Sequence, residues 1–137
     1  MKTTLLWIRT LVAASLLASA ACGSNATPTS PTAVTSPTTI NWSSFVGPSG
    51  AASRSFVTSD AGTVAVALES ATVPLGVGLG VTPASGTGCV PAVSWTLSPG
   101  EQAPPTPVDQ GTYCLLVFDV GRIASDQVQF TVTLEYP

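Results

Sequence analysis

Large apolar residues alternate one by one with small or polar residues in several runs after residue 63. Runs of this kind lie at 64–69, 75–81 and 93–97. In the clearest run, at 128–136, every second residue is large and apolar: Val128, Phe130, Val132, Leu134 and Tyr136. A period of two is typical of β-strands that bury one face in a core and turn the other to solvent. The pattern therefore predicts half-buried antiparallel strands at these places.

The segments between these runs extend the prediction to a whole domain. The stretch at 112–120 (TYCLLVFDV) is apolar on both faces and predicts a central strand, and weaker strand patterns lie at 44–46 and 53–58. Residues that favour tight turns separate the strands, at 59–62, 83–86, 98–100 and 119–121. Short strands joined by such turns predict an all-β fold, an antiparallel β-sandwich of about seven or eight strands.

The first 21 residues have a different pattern, with basic residues at the start and an apolar run at 11–21 that ends in small residues before Cys22. About 11 apolar residues are too few to span a bilayer but suit an export signal. The segment resembles a bacterial lipoprotein signal, which implies cleavage before Cys22 and attachment of lipid to that residue. The alternative is an ordinary secretory signal cleaved near Ala20 or Ala21, which would leave Cys22 as a free thiol.

The resemblance also implies a location. Gly23 rather than Asp follows the cysteine, and in the enterobacterial sorting rule this implies passage to the outer membrane. We therefore expect an exported protein, lipid-anchored in the bacterial cell envelope, with the outer membrane favoured over the inner one. Residues 22–41 are rich in Ser, Thr and Pro and poor in large apolar residues, so they predict a disordered tether. The β-sandwich domain is then expected at 42–137.

Removal of the signal leaves two cysteines if Cys22 carries lipid. Cys89 and Cys114 are then an even pair in an oxidising compartment, where a disulfide can persist. The bond would close a loop of about 25 residues and stabilise the fold by about 3.5 kcal/mol in the chain-entropy model. The alternative is two buried free thiols. A zinc site is not expected, because two cysteines without histidine do not supply its ligands.

Charge and residue types exclude several function classes. After the signal, only Arg54 and Arg122 stand against seven acidic residues, a net charge of about −5. Nucleic-acid binding needs a basic face, so no nucleic-acid partner is expected, and membrane association would depend on the lipid. The chain has no histidine, and no lysine after the signal, so the usual general bases and amine nucleophiles are missing. Glu101 and Asp109 share a Pro-rich loop, where we interpret them as solvated charges rather than a glycosidase pair.

Five short segments resemble those of a known family: SFVT at 55–58, AGTVAVAL at 61–68, GTYC at 111–114, DVG at 119–121 and FTVTL at 130–134. In these segments the chain resembles the bacterial pre-peptidase C-terminal domain. That resemblance implies a jelly-roll-like β-sandwich that serves as an accessory or binding module in exported proteins. It supplies no catalytic residues.

Two features are candidates for a ligand surface. Gly76, Gly78 and Gly80 alternate with apolar residues, so they predict a strand with a bare second face that could lie under another segment or admit a partner. No helix is predicted to follow them, which argues against a phosphate cradle. Trp42, at the expected junction of tether and domain, could cap the sandwich or stack on a sugar.

Metal binding receives little support from the sequence. Calcium needs several oxygen ligands, and Asp109, Asp119 and Asp126 lie in predicted loops without a dense acidic motif. We therefore expect no metal and no cofactor.

Two functions follow as hypotheses. The first is a lipid-anchored, non-catalytic interaction or accessory module of the cell envelope, with an envelope protein as partner or a structural role. The second is a carbohydrate- or peptidoglycan-binding module that uses the glycine strand and an exposed aromatic ring. Exposure of Trp42 or Trp95 beside a groove would favour the second hypothesis, and burial of both would favour the first.

Overall fold

The computed structural model describes residues 36–137, which form nine strands and no helix. The strands are β1 (Thr38–Val46), β2 (Ala51–Thr58), β3 (Gly62–Ser70), β4 (Leu75–Val81), β5 (Val90–Leu97), β6 (Glu101–Gln102), β7 (Thr106–Val108), β8 (Gly111–Phe118) and β9 (Val128–Tyr136). The predicted signal, Cys22 and the tether up to residue 35 lie outside the described residues.

The strands form two antiparallel sheets that pack against each other. Sheet A has the order β1-β9-β3-β6, with β7 also paired to β3, and sheet B has the order β2-β8-β4-β5. The predicted antiparallel β-sandwich is confirmed. The strand count exceeds the expected seven or eight because β6 and β7, of two and three residues, are too short to leave a periodic pattern.

The core lies between the sheets and is built from the apolar positions of the alternating runs. All five large apolar residues of β9 are buried in it, as are Val64, Val66 and Leu68 of β3. Sheet B contributes the row at 75–79 on β4 and Leu115 and Val117 on β8. Removal of this apolar surface from water is the main force that holds the two sheets together.

Strand β8 is central in sheet B, as its apolar composition predicts, because it pairs with both β2 and β4. Leu115 and Val117 point into the core. The outer face of the strand is also partly covered, since Cys114 is fully buried and Leu116 and Phe118 are half-buried. A strand with neighbours on both edges and cover on both faces has little contact with water, which explains its apolar sequence.

Strand β1 begins at Thr38, four residues before the domain start expected at Trp42. Thr38 pairs with Tyr136, and Ile40 is partly buried against the core. The Ser/Thr/Pro-rich composition extends into this strand and hides it in the sequence. Ile40 and Trp42 nevertheless keep the period of two, and β-branched residues favour extended backbone.

Candidate functional site

The glycine row of β4 is buried beneath the chain's own residues. A Cβ at Gly76 would overlap Cε2 and Cζ of the Phe118 ring, and one at Gly78 would lie 2.9 Å from Cβ of Pro91. At Gly80 it would overlap the carbonyl oxygen of Val90 and lie 2.5 Å from Cα of Pro91. The second face of β4 is therefore occupied by residues of β8 and β5, and it offers no open surface to a ligand.

The disulfide explains why Gly80 in particular must lack a side chain. Cys89 and Cys114 are bonded, with their Cα atoms 5.6 Å apart, as the cysteine count predicts. Cys114 lies opposite Gly80 on β8, and Pro91, two residues after Cys89, lies opposite Gly80 on β5. The bond therefore joins the two neighbours of β4 across its outer face, and the start of β5 lies against the backbone of Gly80.

Both tryptophans of the domain are half-buried and pack on the core. The indole of Trp42 meets the ring of Phe130 edge to face, with centroids 5.1 Å apart. Trp95 lies opposite Val77 and also contacts the core. Trp42 belongs to sheet A and the glycine row to sheet B, so the structure does not bring these two sequence candidates together.

The carboxylate of Asp119 accepts hydrogen bonds from backbone N–H groups. Oδ2 of Asp119 accepts the Ser49 N–H at 3.0 Å, and its Oδ1 accepts the N–H groups of Arg122 and Ile123 at 2.8 and 3.1 Å. These bonds, with that from Ser49 the strongest influence, hold the pKa of Asp119 below its ordinary value. The side chain thereby ties the β1–β2 turn to the loop after β8. It acts as a structural carboxylate.

Glu101 has a similar local role, because its Oε2 accepts the Ser98 N–H at 2.6 Å across the turn before β6. Asp109 contributes its carbonyl oxygen, which accepts a bond from the buried hydroxyl of Thr58 at 2.7 Å. Within residues 36–137, no three acidic or cysteine side chains lie close enough together to hold a metal ion.

The outer face of sheet A is polar and carries a groove that the sequence does not predict. We call it the Gln129 groove. It has a volume of about 410 Å³ and lies where β3 ends beside the start of β9. Its polar lining consists of Ser70, Thr72, Gln127, Gln129 and Thr131. None of these side chains is charged, so the groove offers amide and hydroxyl groups that can both donate and accept hydrogen bonds.

An exposed aromatic ring lies beside this groove. Phe45 is 55% exposed, the largest aromatic exposure among the described hydrophobic residues, and it pairs with Gln129 on β9. In the next row, the hydroxyls of Ser43 and Thr131 are hydrogen-bonded at 2.8 Å. One row further, Thr133 donates to Oδ1 of Asn41, also at 2.8 Å. Phe45 thus stands at the end of an uncharged polar ladder.

Phe45 is the residue that sequence reasoning missed. The alternation along β1 is the sequence feature that could have identified it. Phe45 belongs to one row of the strand, and the other row consists of Ile40, Trp42, Ser44 and Val46. The short pattern at 44–46 did not reveal which row faces the core. The pairing of β1 with β9 decides this point.

Comparison with known protein families finds no matching family model, and comparison with curated proteins finds no match either. The resemblance to the pre-peptidase C-terminal domain and to a lipoprotein signal therefore stays a prediction. In the part of the chain that the structure describes, no helix is long and apolar enough to cross a membrane.

Proposed function

We propose that this protein is a non-catalytic interaction or accessory module of the bacterial cell envelope, held at the membrane by lipid on Cys22. The observation that carries the proposal is the uncharged Gln129 groove with Phe45 beside it on one broad sheet face. Ser70, Gln129 and Thr131 of this groove lie on paired strands, so their backbone positions are already set before a partner binds. The carboxylates of Asp119 and Glu101 accept hydrogen bonds from backbone N–H groups at turns. This structural use of both side chains supports a non-catalytic role.

The anchor can be tested apart from the surface. We expect the full chain, expressed in a bacterial host, to incorporate labelled fatty acid and to partition with membranes. Cys22→Ser should abolish the label and release the protein, because the thiol is the acceptor. A Cys22→Ser chain that still incorporates label, or a wild-type chain that never does, would contradict the lipid anchor.

A carbohydrate- or peptidoglycan-binding role is the second candidate, and Phe45 is the observation in its favour. Sugars present apolar C–H faces that pack on aromatic rings, and hydroxyl groups that bond to amides and hydroxyls. Phe45 lies opposite Gln129 of the groove, so an aromatic ring and hydrogen-bonding groups lie side by side on this face. The candidate sugar surface is thus the outer face of sheet A, rather than the inward row of β1 that contains Trp42 or the glycine row of sheet B.

The binding test is thermal unfolding of the oxidised chain from Gly23 onward against cell-wall and exopolysaccharide fragments. A fragment at a hundred times its dissociation constant should add about 2.7 kcal/mol to the free energy of unfolding. We expect Phe45→Ala to remove the shift. Val57→Ala is the matched control, because Val57 is 64% exposed on sheet B.

The outcomes separate the two candidates. A saturable shift lost only in Phe45→Ala would establish the carbohydrate role. No shift with any fragment would reject it and leave a protein partner, to be sought by placing a photo-crosslinking residue at Gln129 in intact envelopes. No crosslinked protein and no fragment shift together would contradict the interaction role of this face.

A further inference from the structure

Strand β1 is an edge strand of sheet A as far as the described residues extend. It pairs with β9 through nine consecutive residues, from Thr38 opposite Tyr136 to Val46 opposite Val128, with no register shift. Among residues 36–137, no strand pairs with the other side of β1. An unbroken edge presents a row of free backbone N–H and C=O groups that another extended strand can bond.

The other edges of the sandwich carry features that discourage such pairing. Strand β2 has the charged Arg54 in its middle, and β5 contains Pro91, which has no N–H, together with a register shift in its pairing to β4. On the far side of sheet A, β6 and β7 are two and three residues long. Charges, prolines, bulges and short strands are the usual protections of sheet edges. Strand β1 has none of them.

The sequence of β1, TTINWSSFV, is uncharged and β-branched at its start. Its outward residues Thr39, Asn41, Ser43 and Phe45 are all exposed. On the inward row, Ile40 and Trp42 contact the core but remain only half-buried at the side of the sandwich. A second strand at this edge would therefore bond the free backbone groups and also cover apolar surface of Ile40 and Trp42.

We propose that β1 pairs antiparallel with β1 of a second copy of this chain, about a two-fold axis at Trp42. All nine residues are used in this register, in which Asn41 faces Ser43 of the partner subunit and Trp42 faces its own counterpart. No charged residue meets another along the strand, although the chain is acidic overall. The same patch on both copies makes the contact closed, so the assembly ends at a dimer.

The dimer goes beyond the proposed function and does not depend on it. Residues of the same row stay on one face when antiparallel strands pair, so sheet A of both copies would form one continuous sheet. Phe45 and the Gln129 groove of each copy would then lie on a shared face. Two linked sites on one face increase avidity for any repeating partner.

Sedimentation velocity over a range of concentrations tests the dimer, with the oxidised chain from Gly23 onward. This segment contains both sheets and the whole described core. We expect a concentration-dependent species of twice the monomer mass. Asn41→Lys with Ser43→Lys should raise the dissociation constant at least about tenfold, because each lysine faces a lysine across the axis and like charges opposite each other repel.

The matched control is Ser53→Lys with Ser55→Lys, which adds the same charge to exposed serines of the other edge strand on this side, β2. The proposal is supported if the β1 variant is monomeric and the β2 variant still dimerises. It is overturned if the wild-type chain stays monomeric, or if both variants weaken the dimer equally. Circular dichroism reports whether each variant is folded.

A crosslink keeps the test decisive if the lysine variant unfolds. Cys89 and Cys114 are bonded to each other, so cysteines introduced into the chain from Gly23 onward would be its only free thiols. Asn41→Cys with Ser43→Cys should form a covalent dimer on mild oxidation. Ser53→Cys with Ser55→Cys should not. A covalent dimer from the β2 pair alone would overturn the proposed register.

Discussion

Replacement of Gly80 by alanine tests whether the outer face of β4 is filled by the chain itself. The new methyl group would overlap the carbonyl oxygen of Val90 and lie 2.5 Å from Cα of Pro91. Both are backbone atoms, so no side-chain rotation can relieve the overlap. Pro91 would have to retreat by about 0.9 Å to reach the 3.4 Å of ordinary van der Waals contact, and the carbonyl oxygen of Val90, which is nearer, by more.

The disulfide makes this retreat costly, because Cys89 holds the same segment to Cys114. Overpacked positions usually cost about 1–3 kcal/mol, and we place Gly80→Ala at about 3 kcal/mol because its obstacle is backbone. For Gly76→Ala the three nearest atoms all belong to the ring of Phe118, a half-buried side chain that can turn toward solvent. We expect about 1 kcal/mol for that variant.

Urea denaturation of the oxidised variants measures these differences, provided that the slope of the transition is unchanged. A domain of this size has about 5–15 kcal/mol of stability, so a loss of 3 kcal/mol is readily resolved. The coupling to the disulfide is tested by repeating Gly80→Ala in a Cys89→Ala, Cys114→Ala background. There the start of β5 can move, and the cost should fall by about 1 kcal/mol.

Two outcomes of the urea measurements would contradict the described packing around Gly80. If Gly80→Ala costs less than Gly76→Ala, the backbone of β5 does not lie against Gly80 as described. If Gly80→Ala costs the same with and without the disulfide, then the bond does not hold that segment in place. Either result would reopen the glycine row as an accessible surface.

Two further predictions concern the hydrogen bonds of the buried Thr58 hydroxyl and those of the Asp119 carboxylate. Thr58→Val should cost about 1–3 kcal/mol, because the fully buried hydroxyl bonds the Asp109 carbonyl and the Gly111 N–H. Thr58→Ser should lose less in the same urea assay, and equal losses would contradict this role. The lowered pKa of Asp119 means that its stabilising bonds, including that from Ser49, are present above its ordinary pKa of 3.8 and lost as the pH falls through the folded value. Asp119→Asn should therefore flatten the decline in stability below about pH 4, and an unchanged slope of melting temperature against pH would speak against it.

Local pattern was sufficient for the class of fold and for most of its strands. The alternation at 128–136 predicted the buried row of β9, and the doubly apolar stretch at 112–120 predicted a central strand. The two cysteines that remain when Cys22 is set aside predicted the disulfide between Cys89 and Cys114. The start of β1 was less clear, because threonine and proline dominate its surroundings and conceal the row that contains Ile40 and Trp42.

The candidate surface was much harder to predict. Gly76 and its two companions gave a correct signal of a bare strand face, but what covers that face depends on β5 and β8, which are distant in sequence. Phe45 and Trp42 are only three residues apart on β1. Their opposite exposures follow from the side of the strand that meets Phe130 in the core.

The alternating apolar rows in the sequence are enough to predict the two-layer β architecture, because they must be removed from water and two antiparallel sheets do this directly. The strand order, and with it what covers each outer face, becomes visible only in the folded chain. Pairing of β4 between β5 and β8 brings Pro91 and Phe118 over the glycines. Pairing of β1 at the end of sheet A leaves its outer edge without a partner strand among residues 36–137, and it leaves Phe45 in solvent beside the Gln129 groove. Such long-range pairings depend on the packing of all nine strands together, and a local period of two carries no information about them.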